Sequence, residues 1–427
     1  MSSPLKVTFI SHSDIIGGAA MVTFRLMNAL RRQGVDARMV VYTRSSDDPN
    51  VSTIGTRYER GMKFMVERGV IAFNNGFSRE DIFKVSTGGV GMPLHRHKWV
   101  KEADVIVLGW FNQGLLSLRG IRRLSALGKP IVWVMHDMWA QTGVCHHAYD
   151  CTNYERKCGK CRFLGVGGAS DLSNRVWRRK KKLYDDVPIT FVAVSTWLAR
   201  RAAGSSLLCD RDVRVIPNAF PTETFNTEPS AMVKGLGIPD ARNIILMGAA
   251  RLDDPIKGLS YAVEALNRIF DNRPDVARTS HAVFFGNLND PAMLDNLRFP
   301  HTHIGRIDDY KVLRDLYALS SVVLSTSLYE TLPGTLIEGQ AAGCLPVTFG
   351  RGGQGDIVTH KVDGYIADYL DTESVADGII WALQANVDRD ALHESVARRF
   401  DSATVARRFI SLFNELLERP VCKCDPK

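Results

Sequence analysis

The chain has 427 residues, more than one hydrophobic core ordinarily serves, so two domains of common size are expected. Its composition, 45% hydrophobic and 23% charged without repeats, is globular and excludes a disordered or fibrous chain. The net charge of +8 is uneven: 33 Lys/Arg against 18 Asp/Glu in residues 1–218 give +15, and 21 against 28 in the remainder give −7. A basic first half suits an anionic substrate, an anionic bilayer surface or nucleic acid.

Met1–Ile10 lacks a basic segment followed by an apolar core, so no signal peptide is expected. No apolar run approaches the roughly 20 residues of a membrane span. Both features predict a cytoplasmic protein. Leu5–Ser11 reads as a strand, and Ala19–Gln33 as a helix with Met21, Phe24, Leu26 and Leu30 marking its apolar side. Between them, Gly17 and Gly18 let the backbone approach a ligand, and the helix N-terminus favours an anion. A Gly-Gly after a strand is also an ordinary tight turn. Residues 55–100 show no clear periodicity and receive no assignment.

Ala37–Tyr42, Val105–Leu108, Ile131–Met135 and Phe191–Val194 continue the strand candidates. Alternation of strand and helix predicts an α/β fold with a parallel, doubly wound sheet. His136 lies just past Ile131–Met135, at the carboxyl end where such sheets bind ligands, although a lone His is more often structural. The loop Cys145-x₅-Cys151-x₆-Cys158-x₂-Cys161 then gathers half of the eight cysteines. Four thiolates suffice for a structural zinc ion, and an iron–sulfur cluster would use the same set. Disulfides fit a cytoplasmic chain poorly. Cys209, Cys344, Cys422 and Cys424 have no such spacing and read as core or tail residues. Arg175–Lys182, with Trp177 interleaved, is either a solvated helix face or a membrane-surface helix.

Val215–Pro221 ends a strand in turn chemistry with two prolines and marks the linker. Beyond it, Ile244–Gly248, Ala282–Phe285, Val322–Leu324 and Leu345–Phe349 repeat the strand rhythm. Gly248-Ala249-Ala250-Arg251-Leu252 closes the first of these, with Lys257-Gly258 following; Arg251 and Lys257 can clamp a diphosphate. After Val322–Leu324 comes Tyr329-Glu330-Thr331-Leu332-Pro333-Gly334-Thr335-Leu336-Ile337-Glu338, then Gly343-Cys344-Leu345-Pro346-Val347. That order is strand, loop, helix, strand. Free amides of the loop and the helix N-terminus suit a diphosphate, and both glutamates can accept hydrogen bonds from sugar hydroxyls. The Asp210/Asp212 and Asp388/Asp390 pairs fall in polar turns, so no catalytic metal is required.

The glutamate pair in this setting resembles the Glu-x₇-Glu signature of retaining glycosyltransferases of family 4, which have the GT-B fold. The Gly-x-x-Arg-Leu…Lys-Gly segment is similar to that family's diphosphate site. Gly17-Gly18 resembles its N-terminal glycine loop, and His136 its histidine contacting the transferred sugar. The His-Asp-x-Trp…Cys…Cys…Cys-x-x-Cys loop is similar to those of colanic-acid and capsule polysaccharide transferases. Two departures are visible: Thr331-Leu332 after the first Glu, and Asp356 where the later glycine segment usually carries Glu.

The resemblance implies two Rossmann-like domains with parallel sheets facing across a cleft. Residues 1–218 would form the acceptor-side domain with the cysteine-rich loop 145–161, 219–400 the donor domain, and 401–427 a C-terminal helix crossing back. It implies a retaining enzyme moving a sugar from a nucleoside-diphosphate sugar to a glycan or lipid-linked oligosaccharide in polysaccharide biosynthesis. Catalysis is expected from His136 and Glu330. Donor binding is expected from Gly17, Gly18, Arg251, Lys257, Leu332, Pro333, Gly334, Thr335 and Glu338, with Glu338 on the ribose. Cys145, Cys151, Cys158 and Cys161 would hold structural zinc. The basic half would make the enzyme peripheral at the inner face of the cell membrane. A hydrolysing nucleotide-sugar epimerase shares this architecture. A zinc-dependent nucleic-acid-binding protein is the poorest fit, because it leaves Glu330, Glu338, Arg251 and Lys257 without a task.

Overall fold

The computed structural model describes residues 3–225, 227–228, 233, 235–239 and 243–419. Cys422 and Cys424 lie outside them. The chain divides into two compact units, one of the described residues up to Ala219 with those from Val405 onward, the other Phe220–Thr404.

In the first unit the strands are β1 (Lys6–Ser13), β2 (Asp36–Thr43), β3 (Val51–Thr53), β4 (Val105–Leu108), β5 (Ile131–Met135), β6 (Ile189–Ala193) and β7 (Val213–Val215). They pair in parallel in the order β3-β2-β1-β4-β5-β6-β7. Every residue of β4, β5 and β6 is buried, as expected of central parallel strands covered on both faces. Helix α1 (Gly18–Arg32) buries Ala20, Leu26, Met27 and Leu30. The helix Ser402–Glu418 begins in an Asp401 cap, with Asp401 Oδ2 accepting from Ala403 N at 2.9 Å. Its later residues belong to the first unit, where Arg408 donates to the Val215 carbonyl (2.7 Å) and Glu415 meets Arg214 (2.8 Å).

The second unit contains β8 (Asn243–Arg251), β9 (Ser280–Asn287), β10 (His301–His303), β11 (Val322–Ser325), β12 (Leu345–Phe349) and β13 (Tyr365–Ala367). They too are parallel, in the order β10-β9-β8-β11-β12-β13. Its core packs Ile245, Met247, Phe284, Leu324, Val347 and Phe349 against the helix Leu259–Asn272 through Ala262, Leu266 and Ile269. In each sheet the strand order reverses once, between β1 and β4 and between β8 and β11. That switch point opens a crevice at the strands' carboxyl ends, and both candidate regions lie there.

Helix α2 (Arg57–Asn74) occupies the stretch that the sequence left unassigned. It starts in a reciprocal cap: Glu59 N donates to Thr56 Oγ1 (3.2 Å) and Thr56 N to Glu59 Oε2 (2.7 Å). Its periodicity was hidden because it is inside out, with charged Glu67 and Arg68 buried and large apolar side chains exposed.

Candidate active site

Three neighbouring loops shape the carboxyl edge of the second sheet. After β8, Asp254 caps a short turn, accepting from Ile256 N at 3.2 Å, and the chain reverses at Gly258. Gly258 has φ +66°, and a Cβ there would overlap the Thr326 carbonyl oxygen, so glycine is required. Thr326 Oγ1 donates to the Gly258 carbonyl (2.8 Å) and Leu328 N to that of Ile256 (2.8 Å), joining the loops after β8 and β11. The loop after β12 joins them through Gly353 N, which donates to the Glu330 carbonyl at 2.9 Å. Gly352, at φ +137°, lets these backbones touch.

This framework brings Lys257 Nζ to 2.6 Å from Glu330 Oε1, with the two side chains 31% and 19% exposed. The Glu330 carboxylate raises the Lys257 pKa above the ordinary ammonium value, so the lysine is charged at neutral pH. Arg251 is half exposed and pairs separately with Asp253 (3.2 Å) and Asp254 (3.8 Å). Asp254 also acts on Lys257 electrostatically and so links the two cations. Leu332 and Pro333 are buried; Gly334 and Thr335 are half-buried and open the helix Gly334–Ala341. Pro333, at the cap, offers no side-chain acceptor, which leaves the first helical amides for water or a ligand. Glu338 is half-buried one turn further on. The structure thus gathers Lys257 with Glu330, a pairing that the sequence treated as separate roles. Sequence reasoning also missed Gln354, fully buried beside Gly352, whose amide atoms have no hydrogen-bond partner among the described residues. Nothing in its sequence neighbourhood signals this.

The first sheet's edge is built from rings. Tyr42 of β2 stacks on His12 of β1 at 4.7 Å, and His12 meets the edge of Trp110, beyond β4, at 5.5 Å. Trp110 Nε1 donates to Asp137 Oδ2 (2.8 Å), which also meets His146 Nδ1 at 2.6 Å. Burial works against ionisation of Asp137, but His146 overrides it and draws the pKa down to about 2. Asp14, also missed, is buried and accepts from Ile15 N (3.0 Å), Ser45 N (3.0 Å) and Ser46 N (2.8 Å), fixing the loop that carries Gly17 and Gly18. Both glycines are exposed, Gly17 at φ +93°, with open space where a Cβ would stand. His136 Nε2 lies 3.2 Å from Thr23 Oγ1, whose own hydrogen goes to the Ala19 carbonyl at 2.7 Å. Nε2 therefore carries the proton in that contact. Burial pushes the His136 pKa down to about 4, so the ring is neutral near pH 7.

The four loop cysteines are free thiols; Cys158 is buried and Cys145, Cys151 and Cys161 are half-buried. Burial pushes Cys145 up to about 11 and Cys158 and Cys161 up to about 12. Cys145 acts electrostatically on both Cys158 and Cys161, so the thiols lie near one another. Gly143 N donates to Cys158 Sγ at 3.2 Å. Among the described residues, however, no three His, Cys, Asp or Glu side chains converge as a metal-holding group.

The basic run is not one uniform face. Arg175, Arg178, Arg179, Lys181 and Lys182 are exposed on the helix Leu172–Asp186, but Lys180 is fully buried. Its ammonium donates to the carbonyls of Trp139 and Thr142 and lies over the Trp139 ring. Trp177 is half-buried, its indole donating to Ser206 Oγ at 3.1 Å. No helix among the described residues is long and apolar enough to cross a membrane.

Two parallel-sheet, Rossmann-like units with loops gathered at their carboxyl edges define the GT-B class of α/β proteins. The chain belongs to the glycosyltransferases: residues 16–224 match the family described as Glycosyltransferase Family 4, and residues 241–385 that described as Glycosyl transferases group 1. It is similar to the phosphatidylinositol N-acetylglucosaminyltransferase GPI3 subunit of Saccharomyces cerevisiae, 24% identical over 48% of this chain and 46% of that protein. The match thus spans about half the length of that curated relative. A glycosyltransferase from Rickettsia africae has a similar structure, with TM-score 0.66 and 14% identity over 97% of this chain and 100% of that one. Alr3699/HepE of Anabaena, in complex with UDP and glucose, aligns with TM-score 0.61 and 16% identity over 96% and 99%.

Proposed function

We propose that the protein is a retaining glycosyltransferase that moves a sugar from a nucleoside-diphosphate sugar to a glycan or lipid-linked oligosaccharide. The observation that carries this reading is the Lys257–Glu330 pair at 2.6 Å, held where three loops meet at the carboxyl edge of the second sheet. A glutamate facing a charged lysine there sets an anion-binding group beside a hydroxyl acceptor. The UDP and glucose bound by HepE, and the phospholipid in the name of the yeast relative, favour a nucleotide donor and a lipid-borne acceptor.

Lys257 has two further ammonium hydrogens beyond the one given to Glu330, and these serve the donor diphosphate. Its pairing fixes the ammonium before the donor arrives, so little reorganisation is needed as the diphosphate departs with negative charge. Arg251 assists from the loop's outer side after leaving Asp253 and Asp254. The amides of Gly334 and Thr335, at the helix N-terminus, complete the anion cradle. Glu338 accepts from the ribose hydroxyls, and Glu330 from the transferred sugar. On the first unit, neutral His136 hydrogen-bonds a sugar hydroxyl, and the exposed backbone of Gly17 and Gly18 approaches a ligand phosphate. Stabilisation of the diphosphate and of an oxocarbenium-like centre supplies the rate, with no catalytic metal.

The cysteine loop takes one structural zinc ion on Cys145, Cys151, Cys158 and Cys161. Four neighbouring thiols are the right donor chemistry, and binding would draw them together with release of their protons. The function is tested by incubating the purified protein with a panel of nucleoside-diphosphate sugars and lipid-linked oligosaccharides. Transfer with the anomeric configuration kept supports the reading. Release of free sugar or an epimerised nucleotide sugar, without transfer, refutes it.

A further inference from the structure

Helix α2 turns its apolar side outward. Tyr58, Met62, Met65, Val66, Val70 and Phe73 are exposed, three of them strongly: Tyr58 78%, Met65 72% and Phe73 70%. These positions fall on one face of a helix at about 100° per residue. Its polar residues anchor the other side. Glu67 Oε1 accepts from Thr87 N (2.8 Å) and Gly88 N (3.2 Å), and Arg68 donates to the carbonyls of Ile82 and Val85. A helix fixed by inward hydrogen bonds with a contiguous apolar face outward is a binding surface rather than a misplaced core element.

What lies beside that face identifies its occupant. Val66 and Val70 line a groove of about 360 Å³ together with Arg175 and Arg179. Through Arg179 and Gly89 it continues into a groove of about 820 Å³ lined by Arg119, Arg122, Arg123 and Lys182. The one acid among these linings is Glu67, which is turned inward. Asp186 partly neutralises Arg122 (2.7 Å) and Lys182 (3.7 Å). An apolar ridge running into a cation-lined groove matches a bilayer surface, which offers acyl chains and lipid phosphates side by side.

We infer that α2 and the adjoining arginine groove seat the first unit on an anionic membrane, with Tyr58, Met65 and Phe73 entering the acyl boundary and the arginines holding lipid phosphates. This deepens the glycosyl-transfer reading by placing a lipid-borne acceptor's membrane at a defined face, and it rests on that reading only for its purpose. The test is vesicle flotation of the full chain at low and physiological salt, using phosphatidylcholine alone or mixed with phosphatidylglycerol. Wild type should prefer the mixed vesicles, less so at higher salt. Tyr58→Ser/Met65→Ser/Phe73→Ser should lose binding about tenfold or more. Arg119→Gln/Arg123→Gln/Arg179→Gln should lose the phosphatidylglycerol preference, about fivefold per residue removed. Wild type that ignores both vesicles, or variants that bind as wild type does, would overturn the inference. A wild-type dimer that the serine variant dissolves would also do so, because the face would then belong to a second copy. Nucleotide binding measured on the same preparations stays independent: its absence with vesicle binding intact refutes the transferase reading and leaves this one standing.

Discussion

Where the second sheet ends in paired charges, Lys257 against Glu330 and Arg251 against Asp253, the first ends in rings, Tyr42 on His12 and His12 against Trp110. In the proposed reaction the two edges would do different work. Charge developing on a departing diphosphate is met by fixed cations that need not move. At the first edge burial keeps both His12 and His136 uncharged by lowering each pKa to about 4, so they can meet hydroxyls as neutral donors or acceptors. The same topology therefore hosts two electrostatic regimes. The last residues of the strands and the loops that follow them decide between the two, because the strand interiors supply only the frame.

The largest effect is expected at the charged edge. Lys257→Ala should slow turnover by about 2.7–4 kcal/mol in the transition state, some hundredfold to thousandfold, with an unchanged circular dichroism spectrum. Near-wild-type kcat at saturating donor would dissolve the contrast between the edges. Gly258→Ala comes next: a side chain at φ +66° facing the Thr326 carbonyl adds about 1–3 kcal/mol of backbone strain before any clash is counted. The melting temperature should fall and nucleotide affinity with it; an unaffected variant would show that the loop junction does not shape the site.

The neutral edge answers to acid. In the unfolded chain His12 and His136 titrate near the ordinary value of 6.5, whereas in the folded chain they do so near 4. As pH falls below 6.5 the unfolded state takes up protons first, so stability should decline through the window from 6.5 to about 4. Chemical denaturation at steps across that window measures it, and His12→Gln should flatten the slope. A stability that is constant there would mean that the rings are not buried as neutral species. The zinc proposal predicts about one zinc per chain by elemental analysis, lost in Cys158→Ser together with local protection from proteolysis. Iron with visible absorbance would indicate a cluster, and absence of metal would end the proposal. The smallest effect should come from Arg251→Ala. This side chain is 53% exposed and already shared between Asp253 and Asp254, so a loss of about fivefold or less in donor affinity is expected.

How much of this could be read from the chain follows from where the physics is local. Central strands such as Ile131–Met135, and Val322–Leu324 within β11, announce themselves as unbroken apolar runs, since both faces are covered. The edge strands β3, β10 and β13 have three residues each, too few for any period to show. The spacing of Arg251 with Lys257 and of Glu330 with Glu338 was legible because each pair sits within one short local segment, a loop after β8 and a loop and helix after β11. That Lys257 pairs with Glu330 was not, because the contact crosses 73 residues and depends on Gly258 and Gly352 folding the loops together. Lys180 misled: inside a basic run it reads as solvated, yet the Trp139 and Thr142 carbonyls hold its ammonium in the interior. Helix α2 was missed for the opposite reason. A helix that buries its charges and exposes its apolar residues inverts the pattern by which amphipathic helices are recognised.

The central claim is that Lys257, held by Glu330, is the diphosphate anchor of a donor site. Calorimetric titration of a panel of nucleoside diphosphates into wild type, Lys257→Ala and Glu338→Ala tests it most directly. Wild type should bind at least one of them, and both variants should lose about tenfold or more in affinity, Lys257→Ala through the diphosphate and Glu338→Ala through the ribose. Removing the diphosphate from the ligand should weaken wild type strongly and Lys257→Ala clearly less, because only Arg251 and the helix amides then remain to lose it. Equal affinities for all three proteins, or no binding of any nucleoside diphosphate by wild type, would contradict the account.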